Sequence, residues 1–366
     1  MTKLVLVGEA WGAEEEKLRH PFVGVSGVEL LRQLDDSGLM PLTPFDKSMI
    51  ASFWNGRDPT YIKLVWSSHP EVKTTNVFNF RPAGNDIKSL CGSKKDTKST
   101  LSALSQGKYL YPKYEAELHR LYMELGDFKP NLAVALGSTP LWALCGTGGI
   151  TKRRGAIVES TKVPGLKVLP VFHPAGILRQ WENRPVTILD LEKARYEQEF
   201  PEIRRPKRTV YVDPSLEDLR WFEANHIASA RAISADIETA AGQVTCIGFA
   251  TSPDRAIVVP FVDYRRSDRS YWRTAEEEIQ AWAFVCRVLD HPAPKIFQNG
   301  LYDIHFLWRA YGLKVRNAEH DTMLLHHSLQ PESPKGLGFL GSVYTNEAAW
   351  KLWRGKGNET TKRDDA

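Results

Sequence analysis

Short apolar runs that end at glycine or proline set what the first half of this 366-residue chain can fold into. Leu4-Val5-Leu6-Val7 stops at Gly8, and Asn76-Val77-Phe78 gives way to Arg81-Pro82-Ala83-Gly84-Asn85. Leu132-Ala133-Val134-Ala135-Leu136 stops at Gly137, and Val168-Leu169-Pro170-Val171-Phe172 runs into His173-Pro174. Continuous apolar runs this short suit strands buried on both faces. Between them lie helical patterns over 28–34 and 114–125, with a charged closing helix over 189–200. The alternation predicts an α/β domain with a mostly parallel sheet. The groups at 8–12, 76–85 and 173–179 follow strands and would gather at the carboxyl edge of that sheet, where such proteins bind ligands. Residues 93–106 are polar and lysine-rich, which predicts an exposed excursion.

A chain of this length calls for two cores. The segment Pro201-Glu202-Ile203-Arg204-Arg205-Pro206-Lys207-Arg208 combines two prolines with four basic residues and reads as a linker. Beyond it come a strand over 209–212 and a helix over 215–225. A hairpin of 232–237 with 244–250 through Gly242 and a strand over 256–260 follow, so this half predicts a mixed sheet. The domains are therefore 1–200, 201–208 as linker, and 209–366, the last expected to be incomplete at its C-terminal end. The net charge of +4 and pI of about 8.7 permit a polyanionic partner. Cys91, Cys145, Cys246 and Cys286 are scattered without a CxxC pair, which points to buried thiols in a reducing compartment. There is neither a signal-peptide pattern nor an apolar run of membrane-spanning length. A cytoplasmic protein is expected, in the nucleoid or in a phage-infected host.

In Gly8-Glu9-Ala10-Trp11-Gly12 and His20-Pro21-Phe22-Val23-Gly24, glycines sit beside a carboxylate and an aromatic. Glycine lets backbone amides approach a bound group, and Phe22 offers a stacking face. His173, fixed by Pro174, can donate a hydrogen bond to a developing anion. Arg153, Arg154 and Arg179 can hold phosphates. Each residue also has an ordinary reading: Glu9 as a loop carboxylate, Phe22 as core, Asn76 as a strand-end cap, His173 as a core histidine.

Taken together, Gly8-Glu9-Ala10-Trp11-Gly12, Pro21-Phe22-Val23-Gly24, Asn76 with Arg81-Pro82-Ala83-Gly84-Asn85, and His173-Pro174-Ala175 resemble the uracil-DNA glycosylase superfamily, nearest to its family four. The resemblance covers roughly residues 4–195. It implies a three-layer α/β/α fold, a uracil pocket of Gly8, Ala10, Phe22, Asn76 and His173, and catalysis by Glu9 and His173. Phe22 would stack on a flipped uracil, and the Asn76 amide would read its polar edge. His173 would stabilise the departing anion while Glu9 positions the attacking water. Arg81, Arg153, Arg154 and Arg179 would contact DNA. Trp11 stands where the family usually has proline, His20 where it has arginine, and Phe80 where family four has a cluster-binding cysteine. No iron-sulfur cluster is expected, because Cys91 and Cys145 cannot supply four thiolates.

In the second half, Asp236 and Glu238 end an apolar strand at i, i+2, on one side of it. Asn299 and Asp303 are placed on one helix over 297–311, where i and i+4 share a face. Asp321 would cap a further helix. His326 and His327 read as surface or packing residues. Asp236-x-Glu238, Asn299-x3-Asp303, Asp321-Thr322-Met323-Leu324 and Pro334-Lys335-Gly336-Leu337 resemble the 3′–5′ exonuclease domain of family A DNA polymerases. The resemblance implies a ribonuclease-H-like fold and two Mg²⁺ or Mn²⁺ ions on Asp236, Glu238, Asp303 and Asp365, with Asn299 near the DNA. Thr361 stands where that family has a tyrosine. A bifunctional DNA-processing protein, associated with a polymerase domain or replisome, is the leading expectation. A non-catalytic DNA-binding or uracil-recognition arm of a polymerase and an RNA-processing nuclease are the alternatives.

Overall fold

The computed structural model describes residues 3–347. They fall into two compact units, one of residues up to Arg204 together with 338–347, the other of 205–337. The boundary lies within the basic segment 201–208. The stretch 338–347 belongs to the first unit, not to a continuous second domain from 209 onward.

The first unit holds a five-stranded sheet of β1 (Leu4–Ala10), β2 (Val72–Phe78), β3 (Leu132–Leu136), β4 (Val158–Glu159) and β5 (Lys167–Val171), in the order β2-β1-β3-β5-β4. All pairings are parallel except β4 with β5. Side-chain alternation along a strand then builds two cores. Leu4, Leu6, Leu132, Val134, Leu169 and Val171 pack with Leu30, Leu31 and Leu34 of the helix Val25–Asp36 and with Leu191 of the helix Arg184–Glu197. Val5, Val7, Ala133, Ala135 and Val168 face the opposite way, onto Leu118, Leu121 and Leu125 of the helix Glu115–Phe128 and onto Leu141 and Trp142 of the helix Ser138–Cys145. Each fully buried Leu or Val contributes about 1.5–3 kcal/mol. The result is the three-layer α/β/α arrangement. Gly8 and Glu9, expected in a loop, lie inside β1, whereas Asn76 lies in a strand as expected, one that already begins at Val72.

The excursion after Asp86 is ordered. It carries the short helix Lys94–Thr97 and an antiparallel pair, Cys91–Gly92 with Tyr109–Leu110. The helix Leu337–Tyr344 leads into a strap on the first unit. Arg154 Nη1 donates to Ser342 Oγ at 3.0 Å, and Lys193 Nζ donates to the carbonyls of Gly155, Ser342 and Thr345 at 2.5–2.8 Å. Asn346 Nδ2 donates to Glu197 Oε1 at 2.9 Å.

The second unit contains a six-stranded sheet of β6 (Thr209–Tyr211), β7 (Ile233–Ala240), β8 (Gln243–Ser252), β9 (Arg255–Pro260), β10 (Lys295–Phe297) and β11 (Ala318–Asp321), ordered β11-β10-β7-β8-β9-β6. β7, β8 and β9 are antiparallel neighbours, whereas β10 is parallel to β7 and β11 to β10. This mixed sheet fits a ribonuclease-H-like exonuclease fold. The helix Ala275–Asp290 covers it through Ala281, Phe284, Val285 and Val288. The helix expected over 297–311 begins only at Leu301, because Lys295–Phe297 is a strand and Asn299 turns the chain with a left-handed φ of 61°. The four cysteines are half-buried free thiols rather than fully buried ones.

Candidate functional site

A cleft of about 570 Å³ opens at the carboxyl edge of the first sheet. Its walls include Glu9, Ala10, Phe22, Asn76, His173 and Arg179. Gly8 lies directly beneath: a Cβ there would stand 2.0 Å from Asn76 Oδ1 and 2.6 Å from Phe22 Cζ. Only a glycine lets the strand pass under both side chains.

Phe22 is itself left-handed (φ 56°), and its carbonyl accepts a hydrogen bond from Trp66 Nε1 at 2.8 Å. Its ring lies 6.4 Å from that of Trp66 and 6.5 Å from that of His173. The aromatic is thus both packed in the core and part of the cleft wall. Asn76 is buried, and its strand is fixed from behind by Arg120 Nη2, which donates to the carbonyls of Asn76 and Val77 at 2.7 and 3.1 Å.

His173 caps the short helix Pro174–Ile177: its Nδ1 accepts from the Ala175 N–H at 3.1 Å. An accepting Nδ1 carries no proton, so the neutral ring holds its proton on Nε2. Burial, with Arg179 adding to it, pushes the imidazole down to about 4. His173 is therefore a neutral N–H donor at physiological pH. Glu9 moves the other way. Burial raises its pKa, with Asp86 acting in the same direction; a hydrogen bond from Thr139 Oγ1 and the charge of Arg179 oppose the rise.

Several contributors lay outside the sequence reading. Glu15 ties the two glycine loops together, accepting from Gly12 N at 3.0 Å and Gly24 N at 3.3 Å. Thr139 and Asp86 tune Glu9. Gly137 (φ 101°) leaves room for His173, whose Cβ would lie 3.1 Å from an added methyl. Glu15 and Thr139 carried no sequence signal beyond their type. Among the arginines, Arg81 and Arg179 are exposed, and Arg153 Nε donates to the Gly148 carbonyl at 3.0 Å. Arg154 does not serve as a phosphate contact: it is 3% exposed and its guanidinium is held by Asp190, with Nε to Oδ2 at 2.6 Å.

In the second unit, burial alternates along β7 so that Ile233, Ala235 and Ile237 point inward while Asp236 and Glu238 share the outer face. Asp303 lies beside them: its Oδ1 accepts from the Ile237 N–H, between the two carboxylates, at 3.0 Å. Burial raises the Asp303 pKa, and the charges of Asp236 and Asp321 raise it further while the Ile237 amide lowers it. Asp321 is more than the cap of its own helix. It accepts from Met323 and Leu324 N–H and also from Asn299 and Gly300 N–H, and these four amides outweigh burial and lower its pKa. Asn299 is exposed in that turn. His326 is buried. Among the described residues no group of three His, Cys, Asp or Glu side chains is assembled to hold a metal ion. Asp365 and Thr361 lie outside the described residues. Among those residues, no helix is long and apolar enough to cross a membrane.

The description of the uracil DNA glycosylase superfamily matches residues 1–199. A curated relative, the type-4 uracil-DNA glycosylase of Thermotoga maritima, is 29% identical over 198 residues, covering 53% of this chain and 77% of that protein. Among solved structures, the EXD2 exonuclease domain soaked in Mn and GMP gives a TM-score of 0.24 at 14% identity, over 33% of this chain and 58% of that one. The Trypanosoma brucei RNase D–GMP complex gives 0.30 at 15% identity, over 42% of this chain and 46% of that one. The chain thus spans about half the length of these two structures. The superfamily match extends over more than half of the residues, and the chain belongs to the uracil-DNA glycosylase superfamily.

Proposed function

We propose that the first unit hydrolyses the N-glycosidic bond of uracil in DNA, and that the second acts on DNA 3′ ends. The observation that carries the first half is the convergence of Phe22, Asn76, His173 and Glu9 on one cleft at the sheet's carboxyl edge. An extruded uracil would stack on Phe22, repaying part of the unstacking cost. The Asn76 amide offers one donor and one acceptor to an imide edge. As the bond to the sugar breaks, negative charge grows on the base, and the Nε2–H of neutral His173 would donate to it. Glu9, as its carboxylate, would hold a water whose oxygen bonds to the sugar carbon while a proton is released toward Glu9. Arg81, Arg153 and Arg179 would contact the DNA backbone.

For the second unit, Asp236, Glu238 and Asp303 are the hard oxygen donors that Mg²⁺ or Mn²⁺ selects. Burial raises the Asp303 pKa, and the charges of Asp236 and Asp321 add to it; a cation would neutralise that negative charge. When bound, such ions lower the pKa of an attacking water and steady a leaving oxygen. The hydrogen bond from Ile237 to Asp303 favours a second reading, in which this unit holds a 3′ end without cutting it. Association with a DNA polymerase belongs to the same proposal.

Oligonucleotides with one uracil, single- and double-stranded and 3′-labelled, test both halves. An abasic product supports the first, and label release dependent on Mg²⁺ or Mn²⁺ supports the second. Failure of either product removes that half alone.

A further inference from the structure

We propose that the excursion 86–113 is a rigid lysine platform that holds the phosphate backbone of the nucleic-acid strand entering the cleft. The proposal rests on the DNA-directed reading of the cleft, but it is read out without uracil.

The segment carries Lys88, Lys94, Lys95, Lys98, Lys108 and Lys113 against two acids, Asp86 and Asp96. Both acids are occupied by local backbone and hydroxyl groups. Asp86 Oδ1 accepts from Lys88 N at 2.9 Å, and Asp96 accepts from Ser93 Oγ at 2.6 Å. All six lysines are exposed, and none takes part in an ion pair among the described residues. Six unneutralised cations on one short segment repel one another, a cost that a polyanion removes.

Rigidity separates this segment from a solvated tail. Leu90, Leu104 and Leu110 are buried in the same core as Val5, Val77 and Leu121. Ser102 Oγ donates to the Gly146 carbonyl at 2.7 Å, and Trp142 Nε1 donates to the Ser102 carbonyl at 3.0 Å. The strand pairing sets Tyr109 opposite Gly92, and Lys94 lies over the Tyr109 ring at 5.9 Å. Lys113 lies over Tyr114 at 4.9 Å. Cations interleaved with aromatic faces suit a backbone flanked by bases. The root of the platform is part of the cleft itself, because Asn85, Asp86 and Ile87 line its wall. A strand whose nucleotide enters the cleft therefore runs onto the platform at once.

Phosphate contacts are read by salt dependence. Each one contributes about 0.7 (single strand) to 0.9 (duplex) to the slope of log affinity against log salt. The test measures binding of the full chain to a fluorescent, uracil-free oligonucleotide across roughly 50–200 mM salt. The variants are a quadruple Lys94→Ala, Lys95→Ala, Lys98→Ala, Lys108→Ala protein and its Lys→Arg counterpart. Truncating exposed lysines leaves the core intact, and the melting temperature checks this. The expected result is a slope smaller by roughly three in the alanine variant, restored by arginine, with unchanged uracil release at saturating DNA. An unchanged slope, or a loss that arginine does not restore, overturns the platform. Absence of an abasic product with normal uracil-free binding would instead sink the excision reading and leave the platform standing.

Discussion

Asn76 holds its side-chain oxygen in the space a β-carbon on Gly8 would need, with the two atoms only 2.0 Å apart. Phe22 Cζ crowds the same space, 2.6 Å from that β-carbon. The residue proposed to read the base and the residue proposed to stack on it are therefore positioned by one missing side chain. Gly8→Ala is expected to leave the unit folded and to displace both groups by around an ångström. Misplacement of that size costs about 10²-fold in rate. Single-turnover release of uracil, with circular dichroism as the folding control, measures it, and an unchanged rate would refute the coupling.

The Glu9 pKa is raised from its ordinary value because burial disfavours its charge, and Thr139 opposes the rise by donating a hydrogen bond to the charged form. Thr139→Val removes the donor, so the pKa rises further. If Glu9 works as a carboxylate, the acid limb of the rate profile moves to higher pH in the variant. The limb due to His173 should not appear between pH 5 and 8, because that imidazole stays neutral down to about 4. A pH–rate series on both proteins gives the answer; an acid limb that does not move removes Glu9 from the role.

Asp303 is buried beside Asp236 and Asp321, and its folded pKa is raised above the ordinary value. A raised carboxyl contributes its stability below the unfolded pKa and loses it as pH climbs through the folded one. At neutral pH the charged form is thus a liability to the fold. Asp303→Asn keeps an oxygen for the Ile237 amide and is expected to raise the melting temperature at pH 7, with the gain fading below the carboxylate range. The same variant should abolish divalent-dependent release of a 3′ label while sparing uracil excision. A variant less stable at pH 7 would contradict the electrostatic account.

Arg154 and Asp190 form a buried ion pair to which the strap adds Ser342. Asp190→Asn leaves the guanidinium buried without its counter-charge, which costs about 3–5 kcal/mol. Ser342→Ala removes one hydrogen bond to a charged group and should cost less, about 1.5–3 kcal/mol. Urea titrations of the full chain followed by fluorescence of the first unit give both values and their order.

The strands of the first unit were legible because each short apolar run ended at a glycine or proline, and periodicity located the helices that cover them. The pairing of Asp236 with Glu238 followed from strand alternation alone. Other features depended on contacts between distant residues. Arg154 looked like the exposed Arg179, and only the fold pairs it with Asp190, 36 positions away. Thr139 and Glu15 carry no local pattern that marks them, since their roles are set by Glu9 and by Gly12 and Gly24. Asn299 and Asp303 were assigned to one helix because i, i+4 spacing does not reveal the left-handed turn at Asn299 that ends a strand first.

The return of 338–347 to the first unit makes 205–337 an inserted stretch with two covalent exits. A protease that nicks 201–208 once would not release the later fragment, which stays moored through Ser342, Thr345 and Asn346. Separating the halves for individual assay therefore takes two cuts, and a fragment ending near residue 200 would expose the seat on Arg154 and Lys193 that those residues fill.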